Sequence, residues 1–145
     1  MEAAQMKKAD HDEEVMVEGY AFVYGTLKVG GKFASRFDAD RLEVVPCSIN
    51  GTLYDTGWYP AIVLEGDGEV QGELHRYKNW HLVIERMDRI EGYQEERPER
   101  SLFMRRMTEM EIPNGGKVAV ILYEFNTHNG VPKTFKVMES GLWEI

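Results

Sequence analysis

Six short runs of β-branched and aromatic residues, each bounded by Gly, Pro, Asn or Asp, constrain this chain more than any other feature. They cover residues 20–24, 44–54 (with Pro46 and Gly51 interrupting), 61–64, 70–76, 102–110 and 117–125. Such residues suit a pleated, half-buried surface, and the breakers between them mark turns. Glu65-Gly66-Asp67-Gly68-Glu69 and Pro113-Asn114-Gly115-Gly116 each separate two runs. In the second, Asn-Gly supplies the positive φ that a tight hairpin needs. One helix is clear, from Trp80 to about Glu91. Asn79 suits its N-cap, Val83, Met87 and Ile90 recur at helical spacing, and Gly92 follows its end. A weaker helix covers residues 32–40, where Phe33 and Phe37 stand four apart. Strands that outnumber helices without alternating with them predict an α+β fold, with a mostly antiparallel curved sheet or small barrel. Phe135, Val137, Leu142 and Trp143 predict that the last residues pack on the body.

A chain of 145 residues predicts one domain with a substantial core. Residues 1–18 are polar and poor in large apolar side chains and read as a flexible tail, leaving residues 19–145 as the single domain. The net charge of −8 argues against a nucleic-acid partner, which needs a concentrated basic surface. Arg97, Arg100, Arg105 and Arg106 are interleaved with Glu95, Glu96 and Glu99, and read as a solvated, self-compensating face. Cys47 is the single cysteine, so no intrachain disulfide can form and the cytoplasm is the expected location. No apolar run reaches membrane-spanning length, so no membrane association is expected. The polar first residues predict no secretory signal, and Glu2 stands where N-myristoylation needs glycine.

Two segments could carry chemistry. Glu91 falls in the last turn of the predicted helix, where the partial negative charge of the helix end disfavours an ionised carboxylate. Burial in a pocket would raise its pKa further and make it a better general base near neutral pH. Taken on spacing alone, an exposed helix-end glutamate is the simpler reading. The second segment is Tyr24-Gly25-Thr26-Leu27, where a glycine at a strand end lets successive N–H groups converge on an anion or carbonyl oxygen. An ordinary turn is again the simpler reading. Gly25 and Gly30 have the separation of a phosphate-binding P-loop, but Gly31 occupies the lysine position, which argues against nucleotide hydrolysis.

Other candidates are weaker. Alternation puts Gln71, Glu73 and His75 on one strand face, so Glu73 is either a second site carboxylate or, more simply, solvent-facing. His11, His75, His81 and His128 are scattered without a metal-binding spacing, so no metal is expected. Cys47 follows Pro46 in an apolar stretch and reads as a buried, inert thiol.

Phe22-Val23-Tyr24-Gly25-Thr26-Leu27 resembles the signature of the gamma-glutamylcyclotransferase-like family, which includes the AIG2-like proteins. Further pieces follow in the family's order: Gly51-Thr52-Leu53-Tyr54-Asp55, Tyr59-Pro60-Ala61, Val70-Gln71-Gly72-Glu73-Leu74, Met87-Asp88-Arg89-Ile90-Glu91-Gly92-Tyr93, and the strand Ala119 to Tyr123. The resemblance covers residues 20–125, with a trace at Gly141-Leu142-Trp143. It implies a small mixed β-barrel with a few flanking helices. It also implies that Glu91 is the catalytic glutamate and that Tyr24, Gly25, Thr26, Leu27 and Tyr123 bind substrate. Met87 stands for the usual leucine, Phe103 where a tyrosine is common, and Leu142 where an aspartate is frequent.

The reaction implied by the resemblance is an intramolecular aminolysis on a small γ-glutamyl amine or γ-glutamyl amino acid, giving 5-oxoproline and a free amine. It needs no cofactor, because nucleophile and electrophile are tethered in the substrate. Two alternatives stand beside it: a non-catalytic binding or interaction module on the same fold, and another acyl transfer or hydrolysis at the same site. The half of the pocket that would hold the leaving amine is expected in loops such as residues 57–60 and 97–101. The sequence fixes neither the amine nor the oligomeric state.

Overall fold

The computed structural model describes residues 17–145. Most of the tail expected at residues 1–18 therefore lies outside the described residues. Of its last two residues, Val17 accepts a hydrogen bond from the Trp80 N–H, and Glu18 pairs with Arg76 at 2.7 Å.

The strands are β1 (Gly19–Val23), β2 (Arg41–Asn50), β3 (Thr52–Asp55), β4 (Pro60–Val63), β5 (Glu69–Tyr77), β6 (Phe103–Glu111), β7 (Lys117–Phe125) and β8 (Lys136–Val137). The helix α1 spans Trp80–Glu91. The strands build two sheets, one of five in the order β2-β5-β1-β7-β6 and one of three in the order β4-β3-β8. All pairings are antiparallel except β1 with β7. The architecture is thus the expected α+β with a mixed, mostly antiparallel arrangement, but the strands do not close into a true barrel.

The stretch expected as one interrupted strand over residues 44–54 is two strands in different sheets, divided at Gly51. Pro46 is accommodated because β2 is an edge strand with a neighbour on one side only, so its missing N–H breaks no second ladder. The weaker helix expected over residues 32–40 is a single 3-10 turn, Ala34–Phe37. Successive i→i−3 bonds run from Ala34 N–H to Gly31 through Asp40 N–H to Phe37. The turn is kept because Phe37 is fully buried against Tyr77. A second 3-10 turn spans Pro98–Arg100.

Alternation along the strands sends side chains to opposite faces of the five-stranded sheet. Ala21, Val23, Tyr77, Ile121 and Tyr123 pack with Val83 and Met87 of α1, while Phe22, Tyr24, Leu74, Val120 and Leu122 pack with Leu53 and Ile62 of the smaller sheet. Trp143 joins the second cluster, as expected for the C-terminal residues, and Phe135 the first. Both faces of the central strands β1 and β7 are therefore buried, which explains their nearly unbroken apolar runs.

The expected bounds of α1 hold, but its N-terminus works differently. Asn79 is left-handed (φ 54°) and makes no side-chain cap; its amide donates to Asp40 at 2.8 Å instead. At the other end Gly92 (φ +68°) stops the helix as expected, with the Tyr93 N–H returning to the Asp88 carbonyl at 2.9 Å. That stop puts Glu91 at the helix terminus, facing the end of β1.

Candidate active site

The loop after β1, the end of α1, and the facing residues of β6 and β7 enclose a cavity of about 330 Å³. Its lining includes Tyr24, Gly25, Thr26, Leu27, Glu91 and Tyr123, so all six residues singled out in the sequence come together. They are brought from three distant parts of the chain by the pairing of β1 with β7 and the packing of α1 over both.

Among the described residues, Glu91 is the only acid lining this cavity. Its surface is partly open to the cavity, yet protein crowds out most of the water around its carboxyl. Burial pushes that carboxyl up to about 7. The exposed helix-end glutamate, the simpler reading on spacing, is thereby corrected. Glu85 is the exposed carboxylate of the helix, paired with Arg89 four residues on at 2.9 Å.

The loop opposite is held in shape by its own turn. The Lys28 N–H bonds the Gly25 carbonyl and the Phe33 N–H bonds the Thr26 carbonyl, both at 3.0 Å. Among the described residues, the N–H groups of Gly25, Thr26 and Leu27 have no hydrogen-bond partner. Such a set of donors suits a carboxylate or a developing oxyanion. Gly25 is required by close approach: a Cβ there would lie 2.4 Å from Pro60 Cγ. Two side chains secure the far end of the loop. Glu73 accepts the Val29 N–H at 3.0 Å, and Lys28 Nζ donates to the Trp143 carbonyl at 2.6 Å.

Glu73 therefore lies outside the cavity and is not simply solvent-facing. It also accepts from Nε2 of His75 at 2.8 Å. His75 is fully buried, and its Nδ1 meets Tyr77 Oη at 2.7 Å and Arg41 Nε at 3.3 Å. Burial lowers its pKa, and an Arg donor at Nδ1 requires the neutral ring with its proton on Nε2. Cys47 is half-buried, and burial together with the charge of Glu73 pushes its thiol up to about 11, in keeping with an inert thiol.

Tyr24 lines the cavity, but its hydroxyl is spent inside the protein. It donates to the Tyr123 carbonyl at 2.7 Å and accepts the Ile62 N–H at 3.3 Å. Burial, then the nearby charge of Glu91, raises its pKa well above the usual range. Tyr123 donates its own hydroxyl to Asp88 at 2.6 Å, and Arg105 completes the group at 2.5 Å from the other Asp88 oxygen. The sequence reading gave neither Asp88 nor Arg105 a place in the site. The available signal was the i, i+3 spacing of Asp88 and Glu91, which puts both carboxylates on one side of α1. Arg105 pairs with Glu95 at 3.6 Å, as a self-compensating face would have it, but it also binds the half-buried Asp88, and Arg106 binds the buried Glu124.

Trp58, Tyr59 and Pro60 border the cavity, as expected for the loop at residues 57–60. Residues 99–101 of the other expected loop line a separate cavity with Asn126 and Pro132. Phe103, where the resemblance leads one to expect tyrosine, is a buried cavity wall packed against Tyr59 at 5.9 Å between centroids. Among the described residues no cluster of His, Cys, Asp and Glu could hold a metal ion, and no helix is long and apolar enough to cross a membrane.

The family model described as "Gamma-glutamyl cyclotransferase, AIG2-like" matches residues 21–145. The chain belongs to this family. The AIG2-like architecture recurs in solved structures at low sequence identity. YkqA from Bacillus subtilis is 22% identical with a TM-score of 0.64, over 88% of this chain and 40% of YkqA. This AIG2-like chain thus spans two-fifths of the length of YkqA. An AIG2-like protein from Mus musculus is 16% identical with a TM-score of 0.59, over 88% of each chain. An uncharacterised protein from Pyrococcus horikoshii is 22% identical with a TM-score of 0.55, over 86% of this chain and 88% of its own. At these identities the likeness shows the fold alone. No curated protein matches the sequence.

Proposed function

We propose that the protein is a cofactor-free cyclotransferase that converts a γ-glutamyl amine or γ-glutamyl amino acid into 5-oxoproline and a free amine. The observation that carries this reading is the Glu91 carboxyl, held in the cavity with its pKa raised to about 7 and facing a loop of open N–H donors. A carboxyl poised there is well matched to accept and return a proton at neutral pH.

The substrate α-carboxylate sits on the N–H groups of Gly25, Thr26 and Leu27. Ionised Glu91 takes a proton from the α-ammonium group. The freed amine attacks the γ-carbonyl carbon, closing a five-membered ring and moving the carbonyl electron pair onto oxygen. Collapse of that oxyanion breaks the old carbon–nitrogen bond as protonated Glu91 returns its proton to the departing nitrogen. The second proton of the attacking nitrogen, cationic since ring closure, passes to the released amine, which leaves as an ammonium ion. The enzyme's main contribution beyond the base is to fold the substrate so that its own ends meet. The reading is of a cytoplasmic enzyme, since a chain with one cysteine needs no oxidising compartment.

The test is a panel of γ-glutamyl amides and γ-glutamyl amino acids incubated with wild type and with Glu91→Gln, scored for 5-oxoproline. Product from wild type only is the expected result. Equal product from both would remove Glu91 from the mechanism, and binding without product would leave a ligand-binding module.

A further inference from the structure

At the mouth of the cavity stands an indole with almost nothing over it. Trp58 is 88% exposed, the most exposed of the large hydrophobic side chains among the described residues. It is not on a loose loop. The Gly57 N–H bonds the Asp55 carboxylate at 2.7 Å, the Trp58 and Tyr59 N–H groups reach the Thr56 hydroxyl at 3.3 and 3.2 Å, and that hydroxyl donates to the Tyr59 carbonyl at 2.8 Å. Leu102, 46% exposed, also borders the cavity, and Tyr59 and Phe103 continue the apolar wall inward. An exposed aromatic on a held backbone at a cavity mouth, continued by Leu102 and Tyr59, offers an apolar contact surface.

The charges around the rim are as informative. Lys32 lines the same cavity and is exposed, while among the described residues Glu91 is the only acid in the lining. A departing group with a second ammonium would meet a like charge in the lining, where among the described residues no acid but Glu91 stands, and the Asp55 carboxylate beside the mouth already accepts the Gly57 N–H.

We infer that Trp58 sets the specificity of the site, selecting γ-glutamyl amides whose departing amine is uncharged beyond the amide and rich in carbon surface, aromatic or branched aliphatic. This rests on the cyclotransferase reading for its chemistry. The γ-glutamyl half is held at the loop and Glu91, so the departing half projects outward along Tyr59 and is covered by the Trp58 ring.

The test compares kcat/KM for the γ-glutamyl amides of methylamine, phenethylamine and 1,5-diaminopentane in wild type, Trp58→Ala and Trp58→Phe. Wild type is expected to favour the phenethylamide over the methylamide and the diamine amide by about tenfold or more, the scale of discrimination an apolar pocket provides. Trp58→Ala should collapse that ratio toward one, and Trp58→Phe should restore most of it. A wild-type ratio near one, or a ratio unchanged in Trp58→Ala, would overturn the inference while leaving the cyclotransferase reading intact. If none of the three amides gives 5-oxoproline, it is the cyclotransferase reading that fails. Isothermal titration calorimetry then decides on Trp58. Tighter binding of the phenethylamide that Trp58→Ala abolishes supports its role, and equal affinities refute it.

Discussion

The Tyr123 hydroxyl donates a 2.6 Å hydrogen bond to Asp88, one helical turn before Glu91. Two carboxylates on the same side of α1 thus have different environments. Asp88 is paired with Arg105 and the tyrosine, whereas Glu91 has burial as the cause of its raised pKa. The first fixes the helix end against β7; the second is left available to a substrate.

Removing the first should therefore loosen the platform of the second. Asp88→Asn leaves the half-buried Arg105 with only the exposed Glu95 at 3.6 Å as carboxylate partner, and is expected to destabilise the fold by about 1–3 kcal/mol. The shift of the urea midpoint at unchanged m-value measures it. An unchanged midpoint would mean that the Asp88 group is incidental.

In the proposed reaction, the pH dependence follows from Glu91 as the base. The base must be ionised, and its carboxyl titrates at about 7. The kcat/KM should fall about tenfold per pH unit on the acid side of that value. An ordinary glutamate would hold its activity to about pH 4.5. A profile flat from pH 5 to 7 would mean that the proton acceptor is another group.

Stability should vary with pH in the opposite sense. The folded pKa of about 7 lies above the ordinary 4.5, so the native state binds the extra proton between these values. The contribution is fully present below pH 4.5 and is lost as pH rises through 7. Glu91→Gln escapes that loss. Relative to wild type it should gain about 1–3 kcal/mol by pH 8, with the difference shrinking towards pH 4.5. Melting temperatures of the two proteins across this range test it; parallel curves would show that the carboxyl is not desolvated.

Gly25→Ala should damage the site with little change in the core. The added methyl would lie 2.4 Å from Pro60 Cγ, so the loop or the Thr56–Tyr59 turn must shift. A displacement near 1 Å at a binding loop costs about a hundredfold in rate. The expected result is a large fall in kcat/KM with a melting temperature within a few degrees of wild type. Unchanged kinetics would show that the loop N–H groups take no part.

Much of this arrangement was legible along the chain. The spacing of Val83 and Met87 with Gly92 after Glu91 gave the helix and its stop. The runs at residues 20–24 and 117–125 gave two strands to within a residue, because both are buried on both faces and carry an apolar excess. Pattern was a poorer guide where long-range contacts decide. Asn79 is drawn off its cap by Asp40, a residue of another segment. The turn at Ala34–Phe37 is shaped by what Phe37 can bury rather than by helical propensity.

The site divides the same way. Residue order singled out the loop and the helix end through the resemblance of residues 22–27 and 87–93 to a known family, since local pattern alone reads them as an ordinary turn and an exposed glutamate. Only the tertiary structure decided that Glu91 is desolvated, that the Tyr24 hydroxyl is already occupied, and that Asp88, Tyr123 and Arg105 form one group. Desolvation and hydrogen-bond pairing depend on atoms that are distant in sequence and adjacent only after β1, β7 and α1 have packed.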